Sequence, residues 1–177
     1  MLKTIEQSVY FRATPAELFK IFIDPKKHAA VTGAPVTLIA RPGGKFTAFG
    51  GMLTGTMLAI VPDKLIVQRW RSMMFKKSDL DSTLILTFNP QGRGCRVDLV
   101  HVNVPKHDHT GVVLGWPKYY WGPMREYLAK RKRSRELDRS LIGAMKSGPA
   151  APMTAADWQR IRAAVNQRLA RKCKAGK

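Results

Sequence analysis

Residues 33–70 read GAPVTLIARPGGKFTAFGGMLTGTMLAIVPDKLIVQRW and decide the fold class of this 177-residue chain. Short runs of β-branched and other apolar residues alternate with turn residues, which is typical of antiparallel strands and not of alternating strands and helices. The turns RPGGK, VPDK and later NPQGRG hold the Gly and Pro that tight turns require. The pattern therefore predicts an antiparallel sheet with strands in PVTLIA, KFTAFG, TGTMLAIV, KLIVQRW, STLILTFN and CRVDLVHVNV.

The segment before this sheet predicts a strand and two short helices. Residues alternate between apolar and polar in IEQSVYFRA, which indicates a half-buried strand. Thr14, Pro15 and Glu17 have the spacing of a capping box, so a helix begins there and runs through Phe22. Asp24 and the proline after it repeat the pattern and predict a second helix over residues 26–31.

The segment after the sheet predicts a long helix. Residues 107–128 read HDHTGVVLGWPKYYWGPMREYL, with apolar side chains recurring every three or four positions. Asp108 is placed to cap the first turn. Pro117 and Pro123 each remove an amide donor, so we expect a kink or a restarted helix near one of them.

The two quoted stretches, 33–70 and 107–128, resemble homologues of the activator of the heat-shock protein 90 ATPase. The likeness is to the C-terminal domain of that family, which belongs to the START-like, helix-grip superfamily (SRPBCC). It covers roughly residues 5–130 and implies an α+β fold in which an antiparallel sheet wraps around the long helix. We expect this domain over residues 1–133, a basic helical extension over 134–177, and a Gly/Pro linker near 143–153.

The resemblance also implies an apolar cavity between the sheet and the long helix, which suits a hydrophobic small molecule. Aromatic, Met and His side chains on the elements that would line it are the ligand candidates, although the same spacing is equally typical of an ordinary core. These residues are Phe49, Met52, Met57, Trp70, Phe75, His101, Trp116, Tyr120 and Met124.

The chain is strongly basic, with a net charge of +19 at pH 7. Residues 129–177 hold 14 Lys and Arg against 3 acidic residues, a net charge of +11. Such a segment attracts polyanions. A nucleic-acid role rests on this charge alone, because no base-reading motif accompanies it, and a solvated helix face explains the charge equally well. The basic patch consists of Lys130, Arg131, Lys132, Arg133 and Arg135.

The end of the chain predicts a further helix. Thr154 and Asp157 form a capping pair, and an apolar stripe follows on one helix face. The stripe could pack on its own domain, lie in the groove of a protein partner, or rest on an anionic membrane. Its residues are Trp158, Ile161, Val165 and Leu169.

Composition points to a cytoplasmic protein. No apolar run approaches the length of a membrane span, and the first residues turn polar too early for a secretory signal. Cys95 and Cys173 lie far apart, so we expect two free thiols and no metal knuckle.

No sequence motif identifies a reaction. His101, His107 and His109 lack a carboxylate or cysteine at a metal-ligand spacing, and no nucleophile elbow or phosphate loop is present. We therefore expect no metal and no cofactor. The first hypothesis is a non-enzymatic domain that binds a hydrophobic small molecule. The second is a co-chaperone that binds heat-shock protein 90 and modulates its ATPase, and the third is an enzyme of the cyclase or hydrolase type.

Overall fold

The structure is a computed structural model that describes residues 1–146 and 153–175, with side chains as far as residue 167. Its strands are β1 (Leu2–Phe11), β2 (Val36–Leu38), β3 (Lys45–Ala48), β4 (Leu53–Val61), β5 (Leu65–Ser72), β6 (Ser82–Gln91) and β7 (Gly94–Pro105). They form a seven-stranded antiparallel sheet in the order β1-β7-β6-β5-β4-β3-β2. The predicted antiparallel sheet is confirmed, because each hairpin turn joins strands that pair with each other.

Helices precede and follow the sheet. They are α1 (Pro15–Ile23), α2 (Pro25–Thr32), α3 (His109–Trp116), α4 (Gly122–Lys146) and α5 (Ala155–Ala175). A π-helical segment, Pro117–Trp121, joins α3 to α4, so helical backbone runs without a break over the 38 residues to Lys146. The predicted α+β fold with a long helix after the sheet is confirmed.

The capping signals before the sheet act as predicted. The Thr14 side chain accepts a hydrogen bond from the Glu17 amide at 3.2 Å, and the Glu17 carboxylate accepts one from the Thr14 amide at 3.2 Å. Asp24 accepts from the amides of Lys26 and Lys27 at the start of α2. Both short helices therefore begin where the sequence places their caps.

β2 is shorter than the predicted strand PVTLIA, and two further strand ends differ from the prediction for a local reason. β3 ends at Ala48, and the residues after it form a tight turn, Phe49–Gly51, with positive φ angles. Pro90 lies inside β6, opposite Cys95, so the turn after it shrinks to residues 92–93. Proline breaks a ladder only where its amide would donate to a neighbouring strand, so it is tolerated at such a strand end.

The prolines widen the long helix instead of ending it. The amide of Gly122 donates to the carbonyl of Pro117, five residues earlier, which is the bond of a π-helix. Pro117 has no amide proton, so the Val113 carbonyl loses the donor that an α-helix would supply. Nε2 of Gln7 in β1 donates to that carbonyl at 3.2 Å, and Oε1 of Gln7 accepts from the indole nitrogen of Trp121 at 2.6 Å.

The core lies between the concave sheet and the helices α1, α3 and α4. Phe22 of α1 stacks on Tyr120 with ring centroids 6.0 Å apart, and Phe11 of β1 contacts Trp121 at 6.2 Å. Phe88 of β6 meets Phe22 at 5.9 Å. Aromatic contacts of this kind stabilise a core beyond the area they bury. They fix the long helix across the sheet.

Contacts within the chain separate Met1–Arg133 from Ser134–Lys177. The linker predicted near 143–153 is wrong for its first residues, because α4 continues through Gly143 to Lys146. A single glycine lowers the stability of a helix by about 1 kcal/mol relative to alanine, and the helix continues where good helix formers surround it, as here. The rest of the predicted linker, 147–152, lies outside the described residues. No helix in the described part of the chain is long and apolar enough to cross a membrane.

Candidate ligand pocket

A pocket of about 310 Å³ lies between α3 and the strands β4 and β5. Its wall comes from the turn before β4, the end of β5, the loop after β5, α3 and the π-helical segment. The lining residues are Phe49, Met52, Leu53, Trp70, Ser72, Met74, Asp108, Gly111, Val112, Gly115, Trp116, Tyr119 and Tyr120. The wall is mainly apolar, with few polar groups, which is the usual composition of a small-molecule site.

Two glycines leave the helical wall of the pocket without side chains. Gly111 and Gly115 are one helical turn apart, so they lie on the same face of α3. A Cβ on Gly115 would have only the Tyr119 ring nearby, at 3.7 Å. A Cβ on Gly111 would lie 3.0 Å from Oδ1 of Asp108, so the open space is beside Gly115. Glycine is unfavourable in a helix interior, and the sequence prediction did not consider either position.

The opposite wall depends on a strained turn. Phe49 has φ = 53°, a conformation that bulky residues rarely adopt, and Gly50 and Gly51 continue the positive φ values. The Phe49 ring meets Tyr119 at 5.7 Å and Tyr120 at 5.9 Å. Gly50 and Gly51 adopt positive φ angles easily, and the turn they form holds Phe49 against the pocket.

Trp116 and Tyr120 form the floor between the sheet and the helix. Their ring centroids are 4.7 Å apart, and both side chains are buried. Burial in these apolar surroundings raises the pKa of the Tyr120 hydroxyl above its ordinary value. The Tyr120 side chain therefore stays uncharged at any physiological pH.

The predicted cavity residues divide into two groups. Five lie in the pocket wall: Phe49, Met52, Trp70, Trp116 and Tyr120. Four are buried outside the wall, in the core: Met57, Phe75, His101 and Met124. Residues of both groups recur at the intervals typical of a buried strand or helix face. These intervals show which face of an element a residue lies on, but not whether a neighbouring side chain fills the space beside it.

His101 is a buried, neutral histidine of the core. Its Nε2 lies 2.8 Å from the Ser82 hydroxyl, which donates its proton to the Trp70 carbonyl at 2.9 Å. Nε2 must therefore carry the proton and donate to Ser82, which leaves Nδ1 as an acceptor. Desolvation by burial lowers the pKa of His101 to about 3.

Two buried polar atoms belong to residues of the pocket wall. Among the described residues, neither Nε1 of Trp116 nor Oδ2 of Asp108 has a hydrogen-bond partner. Asp108 occupies the cap position of α3, but the predicted capping hydrogen bond is absent. Its ψ of −3° is helical, whereas a capping side chain turns back to the helix from an extended backbone.

The pocket opens to solvent through a methionine-rich rim. Met52 and Met74 are both more than half exposed, and Tyr119 is partly exposed beside them. Methionine is unbranched and flexible, so it adapts to ligands of different shape. The mouth of the pocket is therefore lined by side chains that can change conformation.

The three histidines considered as metal ligands lie in different surroundings. His101 is in the core, His107 is 3.5 Å from the Asp79 carboxylate, and His109 begins α3. In the part of the chain that the structure describes, no three His, Cys, Asp or Glu side chains lie close enough together to hold a metal ion.

The predicted tail residues lie on α4 and α5. The basic patch, Lys130–Arg135, is on α4, where Arg131 is half-buried over the Tyr127 ring at 5.6 Å. Trp158, Ile161 and Val165 are exposed on α5. The side chain of Leu169 lies outside the described residues.

Comparison of the chain with known proteins supports the fold and identifies the family. The chain is 29% identical over 116 residues to the "Activator of 90 kDa heat shock protein ATPase homolog 1" of Homo sapiens, and the match covers 66% of this chain and 34% of that protein. A homologue from Dictyostelium discoideum is 27% identical over 117 residues, covering 66% of this chain and 30% of that protein. The chain thus spans about a third of the length of the relatives it matches.

Two solved structures have the same fold. An HSP90 activator from Plasmodium falciparum superposes with a TM-score of 0.64 at 23% identity, covering 73% of this chain and 96% of that one. CalU16 from Micromonospora echinospora gives 0.62 at 19% identity, covering 81% and 87%. The family model described as "Activator of Hsp90 ATPase homolog 1-like protein" matches residues 12–129. The chain therefore belongs to the family of activator of Hsp90 ATPase homologue 1-like proteins, with a START-like fold.

Proposed function

We propose that this protein binds an uncharged, largely apolar small molecule in the pocket between α3 and the strands β4 and β5. The single observation that carries the proposal is the space of about 310 Å³ beside Gly111 and Gly115. Glycines in a helix and an unfilled space beside a densely packed aromatic core both lower stability. A ligand that binds the folded protein in this space would offset that loss.

The size and chemistry of the wall support a ligand with a compact apolar body. The volume is at the lower end of the range for small-molecule sites, which is about 300–1,000 Å³. Trp70, Trp116 and Tyr120 supply flat apolar surfaces, and no lysine, arginine or histidine lines the pocket. An anionic ligand would therefore lose its hydration without a counter-charge, and the Asp108 carboxylate in the wall would repel it.

The experiment uses N-phenyl-1-naphthylamine, an uncharged dye whose fluorescence rises in apolar surroundings. Because it has no charge, the net charge of +19 does not attract it. We expect saturable fluorescence enhancement with the full chain and its loss in a Gly115→Leu variant, whose side chain would occupy the pocket. The matched control is Gly143→Leu, since Gly143 lies in α4 with open space around it.

The dye result has a clear contrary outcome. If Gly115→Leu, shown to be folded by circular dichroism, bound the dye as well as Gly143→Leu and the parent chain, the binding site would lie elsewhere. The proposed pocket function would then be wrong.

A second candidate function is supported by the names of the relatives. Proteins similar to this chain over 116 residues are named as activators of the 90 kDa heat-shock protein ATPase. We infer that this chain, in the cytoplasm, contacts a chaperone of that class as a co-chaperone. The test is the steady-state ATPase rate of the host's own chaperone with and without the full chain. An unchanged rate, together with no co-elution of the two proteins, would exclude this candidate.

A further inference from the structure

The last helix of the chain carries an exposed apolar stripe. Trp158, Ile161 and Val165 are 51%, 46% and 49% exposed and lie within one face of α5. Trp158, the largest of the three side chains, contributes the largest share of this exposed area. An apolar stripe in water favours a partner that removes it from solvent.

Basic residues accompany the stripe on the same helix. Arg160 and Arg162 are exposed, and Arg160 pairs with Asp157, the only acidic residue of α5, which also accepts hydrogen bonds from the capping Thr154. Residues 134–177 hold 10 Lys and Arg against 3 acidic residues, a net charge of +7. The partner that covers this helix must therefore be anionic as well as apolar.

The end of α4 has the same composition. Leu141 and Met145 are exposed one turn apart, and Arg139 and Lys146 are exposed on the same segment. The combination of apolar and basic side chains is thus a property of both helices of the extension, residues 134–177.

From this combination we propose that residues 134–177 bind an anionic lipid surface, with the helices lying in the plane of the membrane. Interfacial helices place Trp and aliphatic side chains among the acyl chains and basic side chains among the phosphates. The stem of a Lys or Arg side chain reaches from one layer to the other. At 1.5 Å per residue, α5 covers about 30 Å of such a surface.

Two other occupants fit less well. A nucleic acid would neutralise the basic side chains but would leave Trp158, Ile161 and Val165 in water. A second copy of this chain would cover the stripe but would bring two segments of net charge +7 together. An anionic membrane matches both the charge and the apolar stripe.

Vesicle binding of the full chain tests the proposal. We expect co-sedimentation with vesicles of about one part phosphatidylglycerol to three parts phosphatidylcholine, and none with pure phosphatidylcholine, because each basic residue near an anionic leaflet strengthens binding roughly fivefold. The double variant Ile161→Ser and Val165→Ser should bind anionic vesicles at least about tenfold more weakly, since it loses two apolar anchors. The control is Leu80→Ser, which removes an exposed leucine from the loop after β5.

Trp158 provides a second readout that does not depend on a weakened variant. On anionic vesicles its fluorescence should shift to shorter wavelengths, and Trp158→Phe should keep binding but lose that shift. The proposal fails if the chain binds both vesicle types equally, or if the serine variant binds anionic vesicles as tightly as the parent. The second result, together with equal binding of both proteins to duplex DNA, would show a charge-only polyanion site.

Discussion

Gln7 joins β1 to the long helix at the turn where Pro117 leaves a carbonyl without its usual helical donor. Its amide donates to the Val113 carbonyl and accepts from the Trp121 indole, so one side chain completes two partly buried hydrogen bonds. A glutamine in an alternating strand gives no hint of this role in the sequence. The partner residues are more than a hundred positions away, and only the fold brings them together.

Gln7→Ala should therefore destabilise the protein by about 2–3 kcal/mol, because it leaves two polar groups without partners. Urea unfolding followed by circular dichroism measures the difference. Ser8→Ala is the control, since its hydroxyl bonds to Asp98 at an exposed position, and it should change stability by less than about 1 kcal/mol. Equal losses in the two variants would show that Gln7 has no special role.

His101 makes stability depend on pH in a defined direction. Its folded pKa is lowered to about 3 by desolvation, while the unfolded chain has the ordinary value of 6.5. Below pH 6.5 the unfolded state takes up a proton that the folded state refuses, so stability falls as pH falls towards 3. Burial also lowers the pKa of His28, which adds to the loss in the same direction.

The free energy of unfolding of the parent and of a His101→Gln variant should be compared between pH 7 and pH 4. We expect the parent curve to be steeper by up to about one proton, or 1.4 kcal/mol per pH unit, at the acidic end. The variant starts from a lower stability, but the slope is the quantity compared. Parallel curves would mean that the His101 pKa is not lowered.

At the scale of the elements, α3 and the π-helical segment after it combine glycines with large aromatic residues. Gly115→Ala should raise stability by about 1 kcal/mol, since alanine is the better helix former and the added methyl meets only the Tyr119 ring, at 3.7 Å. Gly143→Ala in α4 should give a similar gain without touching the pocket. Thermal unfolding of both variants measures the gains. A loss in Gly115→Ala alone would show that the space beside Gly115 is already filled.

Most element boundaries followed from local signals, and the exceptions have local causes. The capping box at Thr14 and the alternation in β6 and β7 needed nothing outside their own segments. Phe49 was predicted to continue a strand, because nothing in the letters FGG shows a phenylalanine with positive φ. Gly143 was predicted to belong to a linker, but it lies inside α4, because a glycine ends a helix only where helix formers stop.

The pocket was harder to predict than the fold. Trp70 and Trp116 lie in its wall, whereas Met57 and His101 have similar spacing and are packed in the core. A cavity is defined by atoms missing from one side, so it depends on every element around it at once. In α3 the pocket wall includes Gly111 and Gly115, whereas the sequence prediction considered only large side chains.

At the scale of the whole chain, we expect that mutations can abolish small-molecule binding by the pocket and membrane binding by the basic extension independently of each other. Gly115→Leu should abolish dye binding and leave vesicle binding unchanged, and the Ile161 and Val165 serine variant should do the reverse. Residues 12–129 match the family, and the extension follows that match. The family match therefore covers most of the fold, and the extension lies outside it.

The central claim is that the folded chain holds a small molecule between α3 and the strands β4 and β5. Native mass spectrometry of the full chain, purified gently from its own host, tests it most directly when repeated after denaturation. We predict an added small mass that denaturation releases, that Gly143→Leu retains and that Gly115→Leu lacks. The same added mass on Gly115→Leu, or none on the parent chain, would contradict the claim.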